Sequence, residues 1–349
     1  MKITVILCTY NRGETLANAL SSAAGLIVPD SIDWDMLVID NNSSDQTRDI
    51  VAEFSRRYPA RFRYVFESRQ GLCYARNTGV RQACGEIVAF MDDDVTVEPT
   101  WLQNLTSCLH DGDCVGAGGR ILPDRMFSPP PWVPVHERYA LAPLVMFDVG
   151  SEPGQLTEPP WGANMAFRKE VFTKHGYFRN DLGRRGNCLL GGEDTEFGRR
   201  LLEAGERLRY EPSAVVYHAI SEKRLTKAYF LAWRFGRGRS LVREFGLRAD
   251  AKYACMGVPL YLFRNLAVWS VRWMVAIEPG QRFSCKLNVW SKVGEIVECH
   301  RQSREKGMDI QGRDCRGPGS CLGTPRKRFE RFMRIVAKLR GGRIRTETG

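Results

Sequence analysis

The chain has 349 residues, 43% hydrophobic, 26% charged and 10% aromatic, which is ordinary for a globular protein and excludes a disordered chain, a collagen and a coiled coil. Its formal net charge of +11 combines 23 basic and 30 acidic side chains in residues 1–222 with 28 basic and 10 acidic ones in residues 223–349. Halves of opposite sign predict two regions with different roles: residues 1–222, whose acids serve some internal purpose, and a basic region over 223–349 that faces an anionic membrane surface or nucleic acid.

Apolar runs and helical stretches alternate over the first 95 residues. The predicted strands are Lys2–Thr9, Met36–Ile39, Phe62–Phe66 and Ile87–Met91, and the helices between them are Glu14–Ala24, Gln46–Tyr58 and Leu72–Ala83. Strands and helices that alternate at this spacing form βαβ units, so we expect an α/β fold with a mostly parallel central sheet. Such sheets bind ligands beyond the carboxyl ends of their strands. The polar residues at those ends are Thr9, Tyr10, Asn11, Asp40 and Asp92–Asp94.

Nine prolines between residues 122 and 160 exclude a regular helix in that segment. We interpret the segment as a substrate loop beside the ligand-binding edge, with a plain connector as the alternative. Regular structure resumes with a strand at Gly162–Arg168, helices at Lys169–Lys174 and Glu193–Ala204, and a strand at Ala214–His218. The sequence therefore predicts one α/β body with a long irregular insertion.

The basic half contains two apolar runs, Tyr253–Phe263 and Leu266–Val271, each followed by an arginine and each shorter than the ~20 residues of a spanning helix. With its tryptophans, this segment fits a helix in a membrane interface, and equally a core helix whose arginines reach the surface. Arg326–Arg345 is a basic amphipathic stretch. The first apolar run is too short for a signal peptide, so we expect free thiols and a cytoplasmic protein, either dissolved or peripheral on the cytoplasmic face of the inner membrane.

Three aspartates follow the apolar run Ile87–Met91. In an extended segment Asp92 and Asp94 point to the same face, and two carboxylates that close favour a divalent cation between them. A helix-capping or turn cluster ahead of Pro99 is the alternative. Arg76 precedes this run on a predicted helix, where its guanidinium would either bind phosphate oxygens or form a structural salt bridge.

A second acidic motif begins a predicted helix. Gly191 and Gly192 let the backbone approach a ligand, and the helix dipole favours the ionised forms of Glu193 and Asp194. An ionised carboxylate at the mouth of a cleft can act as a general base, although simple N-capping uses the same residue types. The sequence contains no GxGxxG after its first strand, no GxxxxGK[ST] and no GxSxG, which disfavours a dinucleotide dehydrogenase, a P-loop NTPase and an α/β-hydrolase.

Six ordered elements over roughly residues 2–220 resemble the family-2 glycosyltransferases. These elements are Ile6–Arg12, Val38–Asp45, Gly71–Gly79, Asp92–Asp94, Gly162–Arg168 and Glu193-Asp194. The resemblance implies a GT-A fold, which is an αβα sandwich, and an inverting, metal-dependent enzyme that uses a nucleotide-sugar donor. It makes residues 1–222 the catalytic domain and residues 223–349 a basic, mainly helical appendage that could associate with a membrane.

The resemblance also implies roles for individual residues. The donor-binding residues would be Thr9, Tyr10, Asn11, Asp40, Arg76, Asp92 and Asp93. Among them, Asp40 would accept a hydrogen bond from uracil, and Arg76 would approach the pyrophosphate. The ligands of Mg²⁺ or Mn²⁺ would be Asp94, Asp92 and His218, with a structural role as the alternative for the histidine. Asp194 would be the general base with Glu193 as its rival, and the acceptor side would comprise Trp161, Gly162 and Asn164.

These roles predict transfer of a sugar, with UDP favoured as the nucleotide, to a hydroxyl of a saccharide or lipid-linked saccharide in polysaccharide or glycolipid biosynthesis. One alternative is a sugar nucleotidyltransferase, although that class wants a glycine-rich basic loop where this chain has Thr9–Glu14. The other is a non-catalytic protein that binds a membrane or a nucleic acid through its basic half. We expect an anionic membrane surface as partner and no nucleic acid, because the stacking aromatics of RNA modules are missing.

Overall fold

The computed structural model describes residues 1–110, 112, 114–137, 139–186, 188–246 and 254–305. Its strands are β1 (Lys2–Thr9), β2 (Asp33–Asp40), β3 (Phe62–Phe66), β4 (Ile87–Asp92), β5 (Val95–Val97), β6 (Gly116–Pro123), β7 (Gly154–Gln155), β8 (Asn164–Arg168), β9 (Leu208–His218), β10 (Ala254–Cys255) and β11 (Val258–Pro259). Its α-helices are α1 (Gly13–Ala24), α2 (Thr47–Arg57), α3 (Leu72–Gln82), α4 (Trp101–Thr106), α5 (Glu170–His175), α6 (Glu193–Glu203), α7 (Lys227–Phe245), α8 (Leu260–Val275) and α9 (Pro279–Glu305). Short 3-10 helices lie at Ser107–Leu109, Ala142–Leu144 and Glu222–Arg224.

Nine strands form one sheet in the order β3-β2-β1-β4-β8-β6-β9-β5, with β7 added to β9. Pairing is parallel from β3 to β4 and between β6 and β9, whereas β8, β5 and β7 run antiparallel to their neighbours. The predicted α/β fold class and mostly parallel sheet are confirmed, because six of the nine strands (β1 to β4, β6 and β9) run in the same direction. Strand β8, which follows the irregular proline-rich segment and no crossover helix, runs antiparallel between β4 and β6.

The parallel part of the sheet is covered on both faces, which explains its nearly unbroken apolar sequence. All but the first and seventh residues of β1 are buried, and so are all residues of β2 after Asp33. Helix α1 packs on this layer with residues at helical spacing: Leu16, Ala19, Leu20 and Ala23. The core therefore holds the carboxyl ends of β1, β2 and β4 in fixed positions at one edge.

The proline-rich segment between β6 and β8 packs against the C-terminal helices. Val133 and Leu144 from this segment form an apolar cluster with Phe230 of α7 and with Phe283 and Leu287 of α9. The segment is thus covered on one side by the region after residue 222. The structure gives it a defined place beside the sheet, as expected of a substrate loop that lies near a site.

Helices α7 and α9 approach each other with their backbones in contact. A Cβ added to Gly238 would lie 2.1 Å from the carbonyl oxygen of Ser291, and one added to Gly294 would lie 2.2 Å from that of Phe235. Only glycine leaves room for this approach. On its other side α7 supports the segment ahead of α6, because Ser240 Oγ accepts a hydrogen bond from Gly191 N at 3.0 Å.

Of the first predicted C-terminal apolar run, only the last four residues belong to helix α8, and Ala254–Cys255 and Val258–Pro259 instead form the antiparallel hairpin β10-β11. The second run, Leu266–Val271, lies entirely within α8. Within the described ranges, no helix is both long enough and apolar enough to span a bilayer. The predicted basic stretch Arg326–Arg345 lies outside the described residues, as does Tyr253 at the start of the first run.

Candidate active site

The strand ends that the sequence pattern singled out do meet at one edge of the sheet. In the registers of β1 with β2 and β4, Thr9 lies opposite Asp40 and Cys8 lies opposite Asp92. Beyond these ends is a cleft of about 450 Å³, here called the Asp94 cleft. Its wall includes the predicted residues Thr9, Tyr10, Asn11, Asp92, Asp93, Asp94 and His218.

The Asp94 carboxylate is contacted by two arginines and one histidine. Arg12 Nη1 lies 2.5 Å from one carboxylate oxygen, and Arg224 Nη2 lies 2.9 Å from the same oxygen. His218 Nε2 lies 3.3 Å from the other oxygen, because strand β5 pairs with β9 so that Val95 faces His218. The pairing of these two strands thus brings the predicted metal ligands Asp94 and His218 together.

The pKa values of the neighbouring carboxyl groups Asp93 and Asp94 are shifted in opposite directions. Burial raises the pKa of Asp93 to about 7, against the opposing effect of Arg12. Burial also acts to raise the pKa of Asp94, but His218, Arg12 and Arg224 outweigh it and hold that pKa well below its usual range. Asp94 is therefore a stable anion, and Asp93 is the member of the pair that holds a proton more readily.

The residues around Asp94 fit a divalent ion that shares its ligands with a substrate. No three His, Cys, Asp or Glu side chains among the described residues form a group able to hold a metal by themselves. Asp94 and His218 supply one carboxylate and one imidazole, and Mg²⁺ or Mn²⁺ commonly takes few protein ligands and completes its shell with phosphate oxygens and water. For an ion to reach Asp94, Arg12 and Arg224 must release the carboxylate, and a diphosphate would offer both a new anion.

A second cleft of about 340 Å³, here called the Asp194 cleft, adjoins the first. Asp92 lines both clefts, with its side chain about one-third exposed. Gly162 N donates to Asp194 Oδ2 at 2.7 Å, and Thr195 N donates to Asp194 Oδ1 at 2.7 Å. Because each carboxylate oxygen has two acceptor positions, Asp194 can still take a proton from a bound hydroxyl.

Glu193, the rival base, has a different environment. Its Oε1 forms an ion pair with Arg76 Nη1 at 2.8 Å, and its buried Oε2 has no hydrogen-bond partner among the described residues. Burial, aided by the charge of Asp194, raises the pKa of Glu193 to about 7, although Arg76 opposes this shift. Of the two carboxylates, Asp194 is the more accessible one and the one whose orientation is fixed by backbone donors.

Arg76 itself is 3% exposed and lies 3.5 Å from Asp92 in addition to its pair with Glu193. This is the structural ion pair that the sequence left open, and it differs from the predicted approach to a pyrophosphate. A Cβ on Gly162 would lie 2.3 Å from Arg76 Nη2, so glycine at this position gives the guanidinium its place. Arg76 therefore fixes Glu193 and the wall between the clefts.

Three predicted contact residues are occupied by the protein itself. Asp40 is 2% exposed and accepts hydrogen bonds from Ser43 N at 2.9 Å and Tyr64 Oη at 2.7 Å, so its carboxylate is buried behind the cleft wall. Asn164 is fully buried and bonds Trp101 Nε1, the Arg120 carbonyl and the Ala214 carbonyl, so its side chain cannot face an acceptor. Asn11 lines the cleft, but its side-chain oxygen Oδ1 also accepts a hydrogen bond of 2.7 Å from Ser44 N.

Of the three predicted acceptor-side residues, Trp161 and Gly162 line the Asp194 cleft. Trp161 packs against Tyr139 and Phe147, with ring centroids 6.0 and 5.3 Å away. Tyr139 and Glu158 also line a cavity of about 910 Å³ in the proline-rich segment. The predicted substrate loop thus contributes aromatic rings and a carboxylate next to Asp194.

Sequence reasoning missed the arginines of the Asp94 cleft, namely Arg12, Arg184 and Arg224. Three aspartates after a buried strand need cations nearby, and that need was a signal for Arg12, which follows Asn11 in the first turn. No local pattern marks Arg224, which lies 130 positions from Asp94 in the chain.

Comparison with known proteins places this site in context. The family model for glycosyl transferase family 2 matches residues 4–176. The succinoglycan biosynthesis protein ExoM of Rhizobium meliloti is 30% identical over 247 residues, which cover 69% of this chain and 74% of that protein. The glucosyl-dolichyl phosphate glucuronosyltransferase of Haloferax volcanii is 28% identical over 245 residues, which cover 69% of this chain and 76% of that protein.

Two solved structures have a similar fold. The mannosyltransferase PcManGT from Pyrobaculum calidifontis, in complex with GDP-Man and Mn²⁺, aligns with a TM-score of 0.52 and 19% identity over 96% of this chain and 80% of that chain. S. aureus TarS 1-349, in complex with UDP-GlcNAc, aligns with a TM-score of 0.50 and 16% identity over 88% and 92% of the two chains. At these identities the likeness concerns the fold alone, and it confirms the predicted GT-A fold.

Proposed function

The chain belongs to glycosyl transferase family 2, and on this basis we propose that it is an inverting enzyme that moves a sugar from a nucleoside diphosphate to a hydroxyl of a saccharide or lipid-linked saccharide. One observation carries the proposal: Asp92 lines both the Asp94 cleft and the Asp194 cleft. A donor held by the first cleft would therefore present its sugar next to the carboxylate of the second. Proximity of this kind turns a bimolecular encounter into a positioned reaction.

On the donor side, the leaving nucleoside diphosphate gains negative charge as the bond to the sugar breaks. Arg12 and Arg224 lie within 2.9 Å of Asp94 and would move to the diphosphate oxygens, where their fixed charges stabilise the leaving group. Mg²⁺ or Mn²⁺ bound at Asp94 and His218 would supply further neutralisation of that charge. The complex of PcManGT with GDP-Man and Mn²⁺ supports this proposal by analogy.

On the acceptor side, Asp194 takes the proton of the attacking hydroxyl while the leaving group departs on the opposite face, so the anomeric centre inverts. Its carboxylate is oriented by the N–H groups of Gly162 and Thr195. The ring of Trp161 beside it offers an apolar surface for a sugar. Glu193 also lines the Asp194 cleft, but its buried carboxylate is paired with Arg76 and holds that guanidinium in place.

The nucleotide and the acceptor rest on different support. UDP remains the first candidate as the usual nucleotide of the family, whereas Asp40 adds no support because it is 2% exposed and is not part of the wall of the Asp94 cleft. The names of the relatives, succinoglycan biosynthesis protein and glucosyl-dolichyl phosphate glucuronosyltransferase, support assembly of a polysaccharide or a lipid-linked glycan. A lipid-linked acceptor also agrees with a peripheral position on an anionic membrane.

A thermal-shift panel of UDP- and GDP-sugars, with and without Mn²⁺, tests the donor side. A ligand at 100 times its Kd stabilises the native state by about 2.7 kcal/mol, so the true donor should raise the melting temperature in the presence of Mn²⁺. Asp94→Asn should abolish the Mn²⁺-dependent part. A protein that no nucleotide sugar stabilises, with or without Mn²⁺, would contradict the proposal.

The base is tested by Asp194→Asn, with Glu203→Gln as a matched control on the exposed side of α6. Loss of a general base lowers transfer by roughly 10²–10⁴-fold, and donor-induced stabilisation should stay unchanged. The control should keep full activity. If Asp194→Asn loses donor affinity and turnover to the same extent, the residue has a structural role and the assignment fails.

A further inference from the structure

Helix α8 has one side buried against the protein and one side open. Leu262, Leu266, Trp269 and Trp273 recur every three or four residues and pack toward α9 with its apolar residues Val289, Trp290, Val293, Ile296 and Cys299. The open side carries Leu260, Val268, Val271, Met274 and Val275, each between 44% and 69% exposed. Ile277, just beyond the helix, is 95% exposed. This set of six apolar side chains is here called the α8 face.

Surface helices normally expose polar residues to water, whereas α8 exposes mainly apolar ones. Its only charged residues are Arg264 and Arg272, both exposed, and the helix contains no acid. The tryptophans at its flank lie beside cations: Arg272 is 4.9 Å from the ring of Trp269, and Lys286 of α9 is 5.3 Å from the ring of Trp273. An apolar face bordered by tryptophan and basic side chains is the composition of helices that lie in membrane interfaces.

The charges favour an anionic bilayer over the other occupants of such a face. A second copy of the chain, related by a twofold axis, would bring Arg264 and Arg272 close to their own counterparts. The sequence that follows α9 carries 12 basic and four acidic side chains over residues 306–349, which adds attraction to a negative surface. Apolar contact and net positive charge then act together on the same partner.

We propose that α8 lies in the headgroup region of an anionic bilayer, with the α8 face at the boundary of the acyl chains. The proposal rests on the proposed function, because it would bring the active site to a lipid-linked acceptor. A groove of about 780 Å³ between α8 and α9 is lined by Trp269, Arg272, Ile277 and Asn288. Asn288 receives a hydrogen bond of 3.2 Å from Arg234, which lines the Asp194 cleft. The membrane side and the transfer site are therefore adjacent.

Vesicle flotation of the full-length chain at low salt tests the proposal. The two vesicle types are phosphatidylcholine alone, and phosphatidylcholine with one-third phosphatidylglycerol. Met274→Asp changes a 68% exposed residue of the α8 face, and Ile27→Asp changes a 63% exposed residue elsewhere as the matched control. The native chain and the control should bind the anionic vesicles, and Met274→Asp should bind about 10-fold or more weakly, since one apolar contact is lost and a repelled charge is gained.

Two further measurements make the outcome decisive. Vesicles with brominated acyl chains should quench tryptophan fluorescence of the native chain, and the double variant Trp269→Phe and Trp273→Phe should lose most of that quenching. Donor-induced thermal stabilisation without vesicles should be the same in all variants, which separates this proposal from the proposed function. Equal binding of Met274→Asp and the native chain, or no binding of the native chain, overturns it. So does a native dimer that Met274→Asp converts to a monomer.

Discussion

Replacing Arg76 with methionine distinguishes two possible roles of its guanidinium, a structural ion pair with Glu193 and a contact with the phosphates of the donor. The guanidinium is 3% exposed, 2.8 Å from Glu193 and 3.5 Å from Asp92, and it lies 5.9 and 5.7 Å from the rings of Phe90 and Phe178. Methionine keeps the apolar contacts and removes the charge. Because removal of one partner leaves a buried carboxylate without compensation, we expect a loss of about 3–5 kcal/mol in the free energy of unfolding.

Protonation of Glu193 limits this loss. Its pKa is already raised to about 7 by burial and by Asp194, and without Arg76 it rises further, so the unpaired residue holds a proton at neutral pH. In the double variant Arg76→Met, Glu193→Gln, the amide replaces that neutral acid without the cost of taking up a proton. The double variant should therefore lose about 1–3 kcal/mol less in its free energy of unfolding than the sum of the losses in the two single variants.

The native protein, the two single variants and the double variant form a double-mutant cycle. Urea unfolding of these four proteins at neutral pH measures the coupling energy between Arg76 and Glu193, and thermal shift with the identified donor measures donor binding. The structural role requires a coupled stability loss in Arg76→Met with little change in the donor Kd. Additive stability changes would refute the structural role. So would a large loss of donor affinity in an Arg76→Met protein of native stability, and that result would favour a contact between Arg76 and the pyrophosphate of the donor.

Three other predictions concern neighbouring residues. Arg224→Met removes a guanidinium 2.9 Å from Asp94, so calorimetry should show about 10- to 150-fold weaker binding of the nucleoside diphosphate, which corresponds to about 1.5–3 kcal/mol for a charged hydrogen bond; unchanged affinity would count against it. Gly162→Ala puts a Cβ 2.3 Å from Arg76 Nη2 and should cost about 1–3 kcal/mol by thermal unfolding, whereas an unaltered melting temperature would show that the guanidinium moves freely. Between pH 4.5 and 7 the folded state binds more protons at Glu193 than the unfolded state, so the free energy of unfolding should fall by up to about 3 kcal/mol as pH rises through that window. Glu193→Gln should flatten this plot of stability against pH, and parallel plots for the native protein and the variant would contradict the prediction.

The sequence predicted the regular half of the fold well and the irregular half poorly. Strands Lys2–Thr9 and Phe62–Phe66 have the predicted bounds, because buried β-branched runs between helices have a clear period. Strand β6 was missed because it begins Gly-Ala-Gly-Gly, which has low intrinsic strand preference. The structure explains those glycines: a Cβ on Gly116 would lie 2.4 Å from the ring of Phe167, and one on Gly119 would lie 2.2 Å from the Ala214 carbonyl.

At the site, the sequence indicated which residues gather but not how they pair. Asp94 and His218 lie 3.3 Å apart although 124 positions separate them, and only the family resemblance had assigned the two residues to one site. The sequence left open whether Arg76 faces a phosphate or a carboxylate, since either partner satisfies a guanidinium. Likewise nothing local showed that Tyr64 and Ser43 would use both oxygens of Asp40, or that the core would bond every polar atom of Asn164.

The glycine contacts between α7 and α9 have a consequence for how the enzyme would work on a surface. Gly238 and Gly294 lock the two helices backbone to backbone, and α7 in turn supports the turn before Asp194. A chain cut at residue 222 would lose this support, so the basic region cannot be treated as a removable tag. If α8 lies on a bilayer as proposed, this rigid connection would fix the distance of the Asp194 carboxylate from the membrane surface. Only acceptors whose hydroxyl group reaches that distance could then react.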